Sequence, residues 1–271
     1  SGSPPAPVLP AVEDVALWYH TLELPGGVLT PGWFDLRGVV EKLPWPEVQG
    51  RRCLDVATYD GFFAFELERR GAREVMATDI GSNQDWDLPG HAKPRAKAVL
   101  DELAGAKGAG FEVARRALGS SVQKRIVSVY ELSQEAVGTF DVVVCGSLML
   151  HLRDPIRALE AIRSVCGGWF LSIEEVSLPL SLRFPRRPIA EMRLDPEIGQ
   201  WWVANRRGHA RLLEAAGFEV HEHPRLLAEP FGVSHPPAGR GLRPRAWRLL
   251  RCALLGSDGV PHSALLARPT G

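Results

Sequence analysis

Between residues 52 and 174 the chain alternates short apolar runs with longer amphipathic stretches. The apolar runs lie at 52–57, 74–78, 125–129, 140–146 and 169–174. Runs of this kind are typical of strands that are covered on both faces of a sheet. The amphipathic stretches, which predict helices, lie at 61–70, 93–104, 110–118 and 153–165. Alternating strands and helices indicate an α/β fold with a mostly parallel sheet and right-handed crossovers.

The regions on either side of this alternation are less regular. The organisation that we expect is a disordered lead-in at 1–10, an N-terminal helical lid at 11–46 and a main domain at 47–271. Within the main domain, prolines and arginines indicate an insertion at about 176–205, after the fifth strand. The other predicted elements are helices over 12–21, 34–43 and 206–216 and strands over 218–222 and 246–255.

The composition is that of an ordinary globular protein. Lys+Arg and Asp+Glu both number 32 in the 271 residues, which argues against a nucleic-acid or membrane partner. No apolar stretch reaches the ~18–20 residues that a membrane helix requires. The four cysteines are scattered without a CxxC pair, so we expect buried free thiols rather than disulfides or zinc ligands. We therefore expect a cytoplasmic protein, with homo-oligomer formation left open.

The turn after the first of these strands, in LDVATYDGFF, determines which cofactor the sheet can hold. A dinucleotide-binding turn has glycines where this chain has Ala57, Tyr59 and Phe62, because the backbone must approach a pyrophosphate. The carboxylates of Asp55 and Asp60 would also repel that anion. A cofactor with positive charge fits this corner better, and S-adenosylmethionine carries both an ammonium and a sulfonium group.

The next strand ends in VMATDI, with Asp79 at its carboxyl end, 24 positions after Asp55. An acid at about this distance from the turn can accept hydrogen bonds from both hydroxyls of a ribose. Ile80 would then lie against an adenine ring. The alternative is that Asp79 only caps the turn-like DIGSN segment that follows.

Four segments resemble the ordered motifs of class I S-adenosylmethionine-dependent methyltransferases, namely LDVATYDGFFAFELERRGA, VMATDI, FDVVVCGSLMLHLRDPIRALEAIRSV and WWVANRRGHARLLEAAGFEV. Within that superfamily, residues 17–222 resemble the branch of the tRNA wobble-uridine carboxymethoxy transferases and their small-molecule relatives. The resemblance implies a Rossmann-like, seven-stranded, mostly parallel sheet with helices on both faces. That branch has glycine where this chain has Ala57, which implies a slightly reshaped turn.

The resemblance also implies individual roles at an S-adenosylmethionine site. The residues expected to border the methionine moiety are Asp55, Ala57, Thr58 and Gly61. Asp79 is expected to bind the ribose. The residues expected to flank the adenine are Val129 and Tyr130, after the third strand. The residues expected to face the sulfonium and the acceptor are Gly146 and Ser147, at the end of the fourth strand.

Methyl transfer to a hydroxyl or amine requires that the acceptor lose a proton, so a base near the cleft is expected. His151, just past the fourth strand, and Glu174, at the end of the fifth, are the candidate catalytic residues. The alternatives are a helix-entry histidine and a solvated or Arg-paired glutamate. Strand alternation puts Glu174 and Glu175 on opposite faces of the sheet. No metal is expected, because HExxH and clustered Cys/His motifs are missing; Mg²⁺ on the acids near the cleft is the alternative.

Aromatic residues in the lid and in the insertion are candidates for the wall of an acceptor pocket. The residues expected to bind substrate are Tyr19, Trp33, Trp201 and Trp202. Tryptophans in Pro/Gly-rich connections line clefts more often than they fill a sheet core, and the alternative is packing between lid and core.

The function that the sequence favours is methylation of an oxygen, nitrogen or carbon of a small organic, natural-product-like acceptor. One alternative is a tRNA wobble-uridine modifying enzyme, for which five arginines between Arg240 and Arg251 would supply a basic patch. The balanced charge weighs against a large phosphate footprint. The other alternative is a protein that binds the cofactor without catalysis, since a fold does not guarantee activity.

Overall fold

The computed structural model describes residues 12–89, 107–195, 199–221, 225–235 and 242–271. The lead-in expected at 1–10 and the helix expected over 93–104 lie outside the described residues. In chain order the strands are β1 (Glu23–Leu24), β2 (Val28–Leu29), β3 (Arg52–Val56), β4 (Glu74–Asp79), β5 (Gln123–Ile126), β6 (Phe140–Gly146), β7 (Cys166–Glu175), β8 (Ala190–Asp195), β9 (Gln200–Ala204), β10 (Phe218–Val220), β11 (Arg225–Pro230) and β12 (Gly259–Pro269). The described α-helices are α1 (Phe62–Arg69), α2 (Ala109–Ala117), α3 (Gln134–Val137), α4 (Pro155–Val165), α5 (Leu178–Arg183), α6 (Arg206–Ala215) and α7 (Leu242–Leu255).

A central sheet joins the strands in the order β10-β12-β7-β6-β3-β4-β5, with β11 also paired to β12. The five strands from β5 to β7 in this order are parallel, and β12 is antiparallel to its neighbours. The Rossmann-like fold that the sequence indicated is thus confirmed, with eight strands instead of seven. The extra strand fits because β12 is 11 residues long, so that β10 and β11 pair with different parts of one edge.

The prediction of a last strand at 246–255 is wrong, because these residues belong to helix α7. Arg248 and Arg251 are three positions apart and share one face of this helix, from which both form ion pairs with Asp258. The last strand is β12. Its apolar run, in HSALLA, lies between β7 and the two shorter strands.

The N-terminal segment is less helical than the sequence indicated. In place of helices over 12–21 and 34–43 it has 3₁₀ turns at Val12–Asp14 and Val40–Lys42. Between them lies a small hairpin of β1 and β2. The hydroxyl of Thr30 accepts from the Leu22 N–H at 2.7 Å and donates to the His20 carbonyl at 2.9 Å. Cross-links of this kind satisfy the backbone outside a helix and keep the segment extended.

Helices cover both faces of the sheet, as expected. Helices α1 and α2 and the N-terminal segment pack on one face, where Trp18 is almost fully buried, and α4 and α6 pack on the other. The buried cysteines are Cys53, Cys145 and Cys166, and Cys252 is half-buried. The carboxyl ends of β3, β4, β6 and β7 meet at one edge of the sheet, where ligands of such folds bind.

The insertion contributes helix α5 and the hairpin of β8 and β9 to this edge. Asn205 organises it, since its Oδ1 accepts from the backbone of Ile189 at 3.1 Å and from that of Gly208 at 2.7 Å. Its Nδ2 donates to the carbonyls of Phe184 and Arg187. Asn205, which belongs to the segment WWVANRRGHARLLEAAGFEV, is therefore a buried hub that holds the insertion to the start of α6.

Candidate functional site

The turn after β3 is built from residues in the left-handed backbone region. Ala57 has a φ of 60°, Tyr59 of 48° and Gly61 of 95°. A Cβ at Gly61 would collide with the rings of Phe65 and Phe111, so glycine is required there for both conformation and space. Ala57 adopts the conformation that favours glycine, at a cost of about 1–2 kcal/mol. Strained backbone of this kind is typical of functional sites.

Asp55 lies beneath this turn with its carboxylate buried. Its Oδ2 accepts from Thr58 Oγ1 at 2.6 Å and from the Ala64 N–H at 3.0 Å. Burial raises the pKa of Asp55 to about 7, although these hydrogen bonds and the nearby His20 act in the opposite direction. A cationic ligand at this turn would favour the ionised carboxylate. The corner therefore fits the ammonium and sulfonium charges of the expected cofactor.

Asp79, at the end of β4, is also buried and is extensively bonded. Its Oδ2 accepts from the Tyr59 N–H at 2.9 Å, and its Oδ1 accepts from the Ile80 N–H at 2.8 Å and from Lys107 Nζ at 2.7 Å. The Lys107 side chain is only 6% exposed, and its ammonium lies over the ring of Tyr59. Lys107 therefore neutralises the acid that is expected to bind the ribose, and no sequence motif indicated this pairing.

Val129 and Tyr130 lie on a 3₁₀ turn after β5, beyond the carboxyl end of that strand. Val129 is buried. The hydroxyl of Tyr130 donates to Asp87 Oδ2 at 2.8 Å and accepts from the Asp154 N–H at 3.1 Å. Burial raises the pKa of this phenol to about 12. Both residues lie at the end of the sheet where the cofactor is expected to bind. Their role beside an adenine stays a prediction.

A small cavity opens beside the turn, and we refer to it as the Ser147 cavity. It is lined by Tyr19, His20, Leu36, Phe63, Gly146, Ser147, Ile173, Leu227, Glu229 and His262. Ser147 has a φ of 51°, the third non-glycine residue in the left-handed region. The structure thus brings three predicted site residues together here, namely Tyr19, Gly146 and Ser147.

Two further residues of this wall come from the antiparallel strands and were not predicted. His262 Nε2 lies 2.8 Å from Ser147 Oγ and 3.2 Å from Glu229 Oε2. His262 Nδ1 donates to the Val260 carbonyl at 3.0 Å. Glu229 and His262 are each less than 5% exposed. The signal that could have found them is an ionisable residue inside an otherwise apolar strand, as in LLAEP and GVPHSALLA.

His20 joins the N-terminal segment to the turn. Its backbone N–H donates to Asp60 Oδ2 at 2.6 Å, and its Nδ1 lies 2.7 Å from Asp60 Oδ1. Burial lowers the pKa of His20, but Asp60 outweighs burial and raises it above the ordinary value. The residues of the N-terminal segment that line the Ser147 cavity are therefore tied to the turn that is expected to hold the cofactor.

The two predicted bases lie away from this cavity. The lining of the Ser147 cavity, within the part of the chain that the structure describes, includes neither His151 nor Glu174. His151 Nδ1 donates to the Gly199 carbonyl at 3.3 Å, and its ring lies near that of Trp86. Glu174 accepts from the N–H groups of Leu148 and Met149 at 3.2 and 3.1 Å. Their catalytic roles stay predictions.

Burial raises the pKa of Glu174 to about 8. The carboxyl group lines a second cavity together with Met149, Leu150, Glu175, Trp202, Ala204, His209 and Leu212. Its hydrogen bonds fix the loop that follows Ser147. Glu175 instead accepts from Arg193 at 2.8 Å. The two glutamates thus have separate partners, although both line the second cavity.

The three predicted tryptophans attach loops to the edge of the sheet. Trp201 Nε1 donates to the Asp87 carbonyl at 2.6 Å, and Trp202 Nε1 donates to the Leu152 carbonyl at 3.2 Å. Trp33 is half-buried, and its backbone bonds to Trp18. These contacts are those of packing between insertion and core, and substrate contacts of the three tryptophans stay predictions.

The described residues lack a metal-binding cluster and a membrane-spanning helix. Across the five described ranges, no group of three or more His, Cys, Asp or Glu side chains is arranged to hold a metal ion. The described helices include none that is both long and apolar enough to cross a membrane.

Comparisons with known proteins agree with the fold. A family model described as a methyltransferase domain matches residues 35–223, which is more than half of the chain. The ubiquinone biosynthesis O-methyltransferase of Acinetobacter baylyi is 28% identical over 116 residues, 43% of this chain and 39% of that protein. The protein of the same name from Paracidovorax citrulli is 30% identical over 124 residues, 45% and 42% of the two chains. The match thus spans about two fifths of these relatives.

Solved structures share the fold at low identity. A putative S-adenosylmethionine-dependent methyltransferase from Listeria monocytogenes aligns with a TM-score of 0.50 and 12% identity, over 85% of this chain and 96% of that one. The structure of a Haloferax volcanii complex between the Trm112 methyltransferase activator and a putative methyltransferase aligns with a TM-score of 0.50 and 14% identity, covering 87% of this chain and 88% of that one. Both likenesses concern the architecture of the sheet and its helices.

Proposed function

Because this chain belongs to the methyltransferase-domain family and uses S-adenosylmethionine as methyl donor, we propose that its acceptor is a small organic molecule that binds in the Ser147 cavity. The single observation that carries the proposal is the position of this cavity. It opens at the carboxyl end of β6, where Gly146 and Ser147 form its wall, and it borders the turn after β3 through His20 and Phe63. Acceptor pockets of open α/β sheets occupy this edge.

The lining of the cavity fits a small organic acceptor. Most of its wall is apolar or aromatic, with a few polar groups, as is typical of pockets that orient one small ligand. In this proposal the methylated atom of the acceptor is an oxygen, a nitrogen or a carbon.

The cofactor supplies a methyl group that is already activated by the positive charge on sulfur. The residues of this chain bind the cofactor and orient the acceptor. Asp55 places negative charge under the turn, and Asp79 is the acceptor of hydrogen bonds for the ribose hydroxyls. Tyr19, Phe63 and Ser147 align the acceptor and exclude water from the cavity.

The N-terminal segment, expected as a lid over residues 11–46, contributes to acceptor choice in this proposal. Tyr19, His20 and Leu36 of this segment line the Ser147 cavity. The insertion at 176–205 acts from further away, because Trp201 and Trp202 hold it to the loops that follow β4 and β6. We therefore assign direct acceptor contacts to the N-terminal segment and loop positioning to the insertion.

No observation favours tRNA as the acceptor. Of the five arginines between Arg240 and Arg251, two are bonded to Asp258, and the side chains of the other three lie outside the described residues. The described lining of the Ser147 cavity holds no lysine or arginine. A site for a polyanion needs several such contacts.

The test asks whether a bulky side chain in the Ser147 cavity lowers turnover while the cofactor site still binds its ligand. Leu227 on β11 points into the Ser147 cavity, whereas Leu226 is on the opposite face of the same strand. The Leu227→Trp variant should lose at least about tenfold in kcat/KM for acceptors while S-adenosylhomocysteine, titrated calorimetrically, still binds. Leu226→Trp is the matched control and should retain turnover.

Turnover is followed as formation of S-adenosylhomocysteine with a panel of phenols, anilines and activated carbon acids. Equal turnover in the two tryptophan variants would place the acceptor elsewhere. Methylation of tRNA with salt-sensitive binding, and of none of the small molecules, would establish the nucleic-acid alternative. Binding of S-adenosylhomocysteine without turnover of any acceptor would leave a non-catalytic protein.

A further inference from the structure

Glu229 and His262 reach the Ser147 cavity from one face of the antiparallel strands. In the ladder of β11 and β12, His262 is opposite Leu227 and Val260 is opposite Glu229. Glu229 and His262 are therefore diagonal neighbours on the same face. Across the other edge of β12, His262 is opposite Glu175, and Ile173 lies two residues away on the same face. The antiparallel part of the sheet thus presents two ionisable groups to a cavity that is otherwise mainly apolar.

The hydrogen bonds of His262 determine how its ring is oriented. Its Nδ1 must carry a proton, because the Val260 carbonyl can only accept. Its Nε2 therefore faces Ser147 Oγ and Glu229 Oε2 either with a lone pair or with a second proton. The lone pair can take a proton, and Glu229 stabilises the imidazolium that results. This is the arrangement of a general base whose orientation is fixed by a carbonyl and whose charged form is stabilised by a carboxylate.

We propose that His262, supported by Glu229, is the catalytic base of this enzyme and that the acceptor is a hydroxyl compound, a phenol or an enol, whose proton passes to His262 Nε2. The proposal rests on the proposed function, since it requires an acceptor in the Ser147 cavity. Ser147 Oγ, next to Nε2, holds the same acceptor oxygen in place. Tyr19 completes this end of the cavity, because it lines the same wall as Ser147.

The step balances without a further reactant. The O–H bond of the acceptor breaks and its proton goes to His262 Nε2, while the acceptor oxygen forms a bond to the methyl carbon. The electron pair of the broken carbon–sulfur bond stays on sulfur, which becomes a neutral thioether. The proton then leaves His262 for solvent when the product is released. Neither an oxidant nor a metal ion is required for this balance.

The test uses phenols of increasing acidity, namely phenol, 4-chlorophenol and 4-nitrophenol, with the full chain and S-adenosylmethionine. The His262→Gln variant should lower kcat for phenol by about two to four orders of magnitude. The loss should shrink steadily toward 4-nitrophenol, because a more acidic hydroxyl depends less on a base. A variant that only disturbs packing would lower all three rates by one common factor.

A matched control is available in His209→Gln. His209 is also a buried histidine bonded to a serine, with its Nε2 at 2.9 Å from Ser172 Oγ, but it lines the second cavity. This variant should retain the acidity dependence of the wild type. Glu229→Gln keeps the size of the side chain and removes its charge. We expect kcat for phenol to fall about tenfold, and this loss should again be smaller for the more acidic phenols. Glu229→Gln also serves if His262→Gln does not fold.

The pH profile is the second readout. The wild type should lose kcat for phenol as the pH falls, because a protonated base cannot accept the proton of the acceptor, and the His262→Gln variant should lose that limb of the profile. Tyr19, His20 and Glu229 line the cavity together with His262, and Asp60 is bonded to His20. Glu175 of β7 is opposite His262 in the ladder, and His209 of α6 interacts with His262 electrostatically. Because His20 and Asp60 are unchanged in the variant, any limb that they cause would remain.

The outcomes separate this inference from the proposed function. If the wild type methylates anilines or carbon acids and no phenol, or if His262→Gln lowers the three phenol rates equally, the assignment of the base is overturned and the acceptor cavity stands. If the wild type binds S-adenosylhomocysteine but methylates none of the small molecules, the proposed function fails with it. Calorimetry with S-adenosylhomocysteine should give equal affinities for wild type and His262→Gln.

Discussion

Asp60 receives two hydrogen bonds from one residue, His20, through the backbone N–H at 2.6 Å and through Nδ1 at 2.7 Å. Both residues are buried, and they are 40 positions apart in the chain. The pair thus fixes the N-terminal segment to the turn that is expected to border the cofactor. In the proposed function, cofactor binding and acceptor binding share this contact, because His20 also lines the Ser147 cavity.

Replacing Asp60 by Asn should loosen this connection. We expect the unfolding free energy to fall by about 1–3 kcal/mol, since a buried charged partner is lost. Amide hydrogen exchange should accelerate at residues 19–22 before it does in the sheet. Asp35→Asn, which breaks an exposed pair with Arg37, is the control and should change stability by less than about 1 kcal/mol. Unchanged exchange in Asp60→Asn would contradict the linking role.

The stability of the protein should decrease as the pH rises from about 5 to 8. Asp55 and Glu174 have pKa values raised by burial to about 7 and about 8, so the folded chain keeps protons that the unfolded chain has already lost. Stability then falls across this window, by up to about 1.4 kcal/mol for each unit of pKa difference. The raised pKa of His20 acts in the same direction, since its contribution is present below the ordinary histidine value and is lost above the folded one.

The Glu174→Gln variant isolates one part of this dependence. Denaturant unfolding at pH 5, 6, 7 and 8 should show a flatter profile than the wild type, because the amide does not titrate. Some stability is lost at every pH, since the amide nitrogen cannot accept from the Leu148 or Met149 backbone as the carboxyl does. A variant profile parallel to that of the wild type would mean that Glu174 is ionised throughout.

Asp79 and Lys107 should affect cofactor affinity in opposite ways. A carboxylate accepts about four hydrogen bonds, and three of those of Asp79 are already formed. Both ribose hydroxyls can bind only if Lys107 moves away. Asp79→Asn should weaken binding of S-adenosylhomocysteine by about 10–100-fold, and Lys107→Met should leave it unchanged or tighter. Calorimetry measures both, with Asp258→Asn as a distant control, and an equal loss in the two variants would assign Lys107 to the binding site itself.

Two glycines separate the effect of backbone strain from the effect of a steric clash with an added Cβ. Gly61 and Gly26 both have positive φ values, 95° and 81°, but only a Cβ at Gly61 meets other atoms. Gly26→Ala should therefore cost about 1–2 kcal/mol and Gly61→Ala clearly more, with loss of cofactor binding. Ala57→Gly should stabilise the turn or leave its stability unchanged, as its φ of 60° favours glycine. A destabilised Ala57→Gly protein would show that the alanine methyl packs against the site.

The sequence predicted the parallel part of the sheet and the residues at its carboxyl edge, because each strand is a separate apolar run. Asp55, Asp79 and Ser147 follow directly from where those runs end. The family resemblance is confirmed by the match over 35–223, and the specific branch stays a prediction. Glu229 and His262 were missed, although each is an ionisable residue in an apolar strand, because only the pairing of β11 with β12 brings them together. The helix at α7 was missed because apolar periodicity cannot separate a short helix from a strand.

A crystal structure with S-adenosylhomocysteine bound tests the central claim most directly, since it shows where the sulfur points. We expect the amino acid moiety over Asp55 and the turn, the ribose on Asp79 with Lys107 displaced, and the sulfur facing the cavity between Ser147 and His262. A ligand whose sulfur points away from the Ser147 cavity, or whose ribose has no contact with Asp79, would contradict this account of the site.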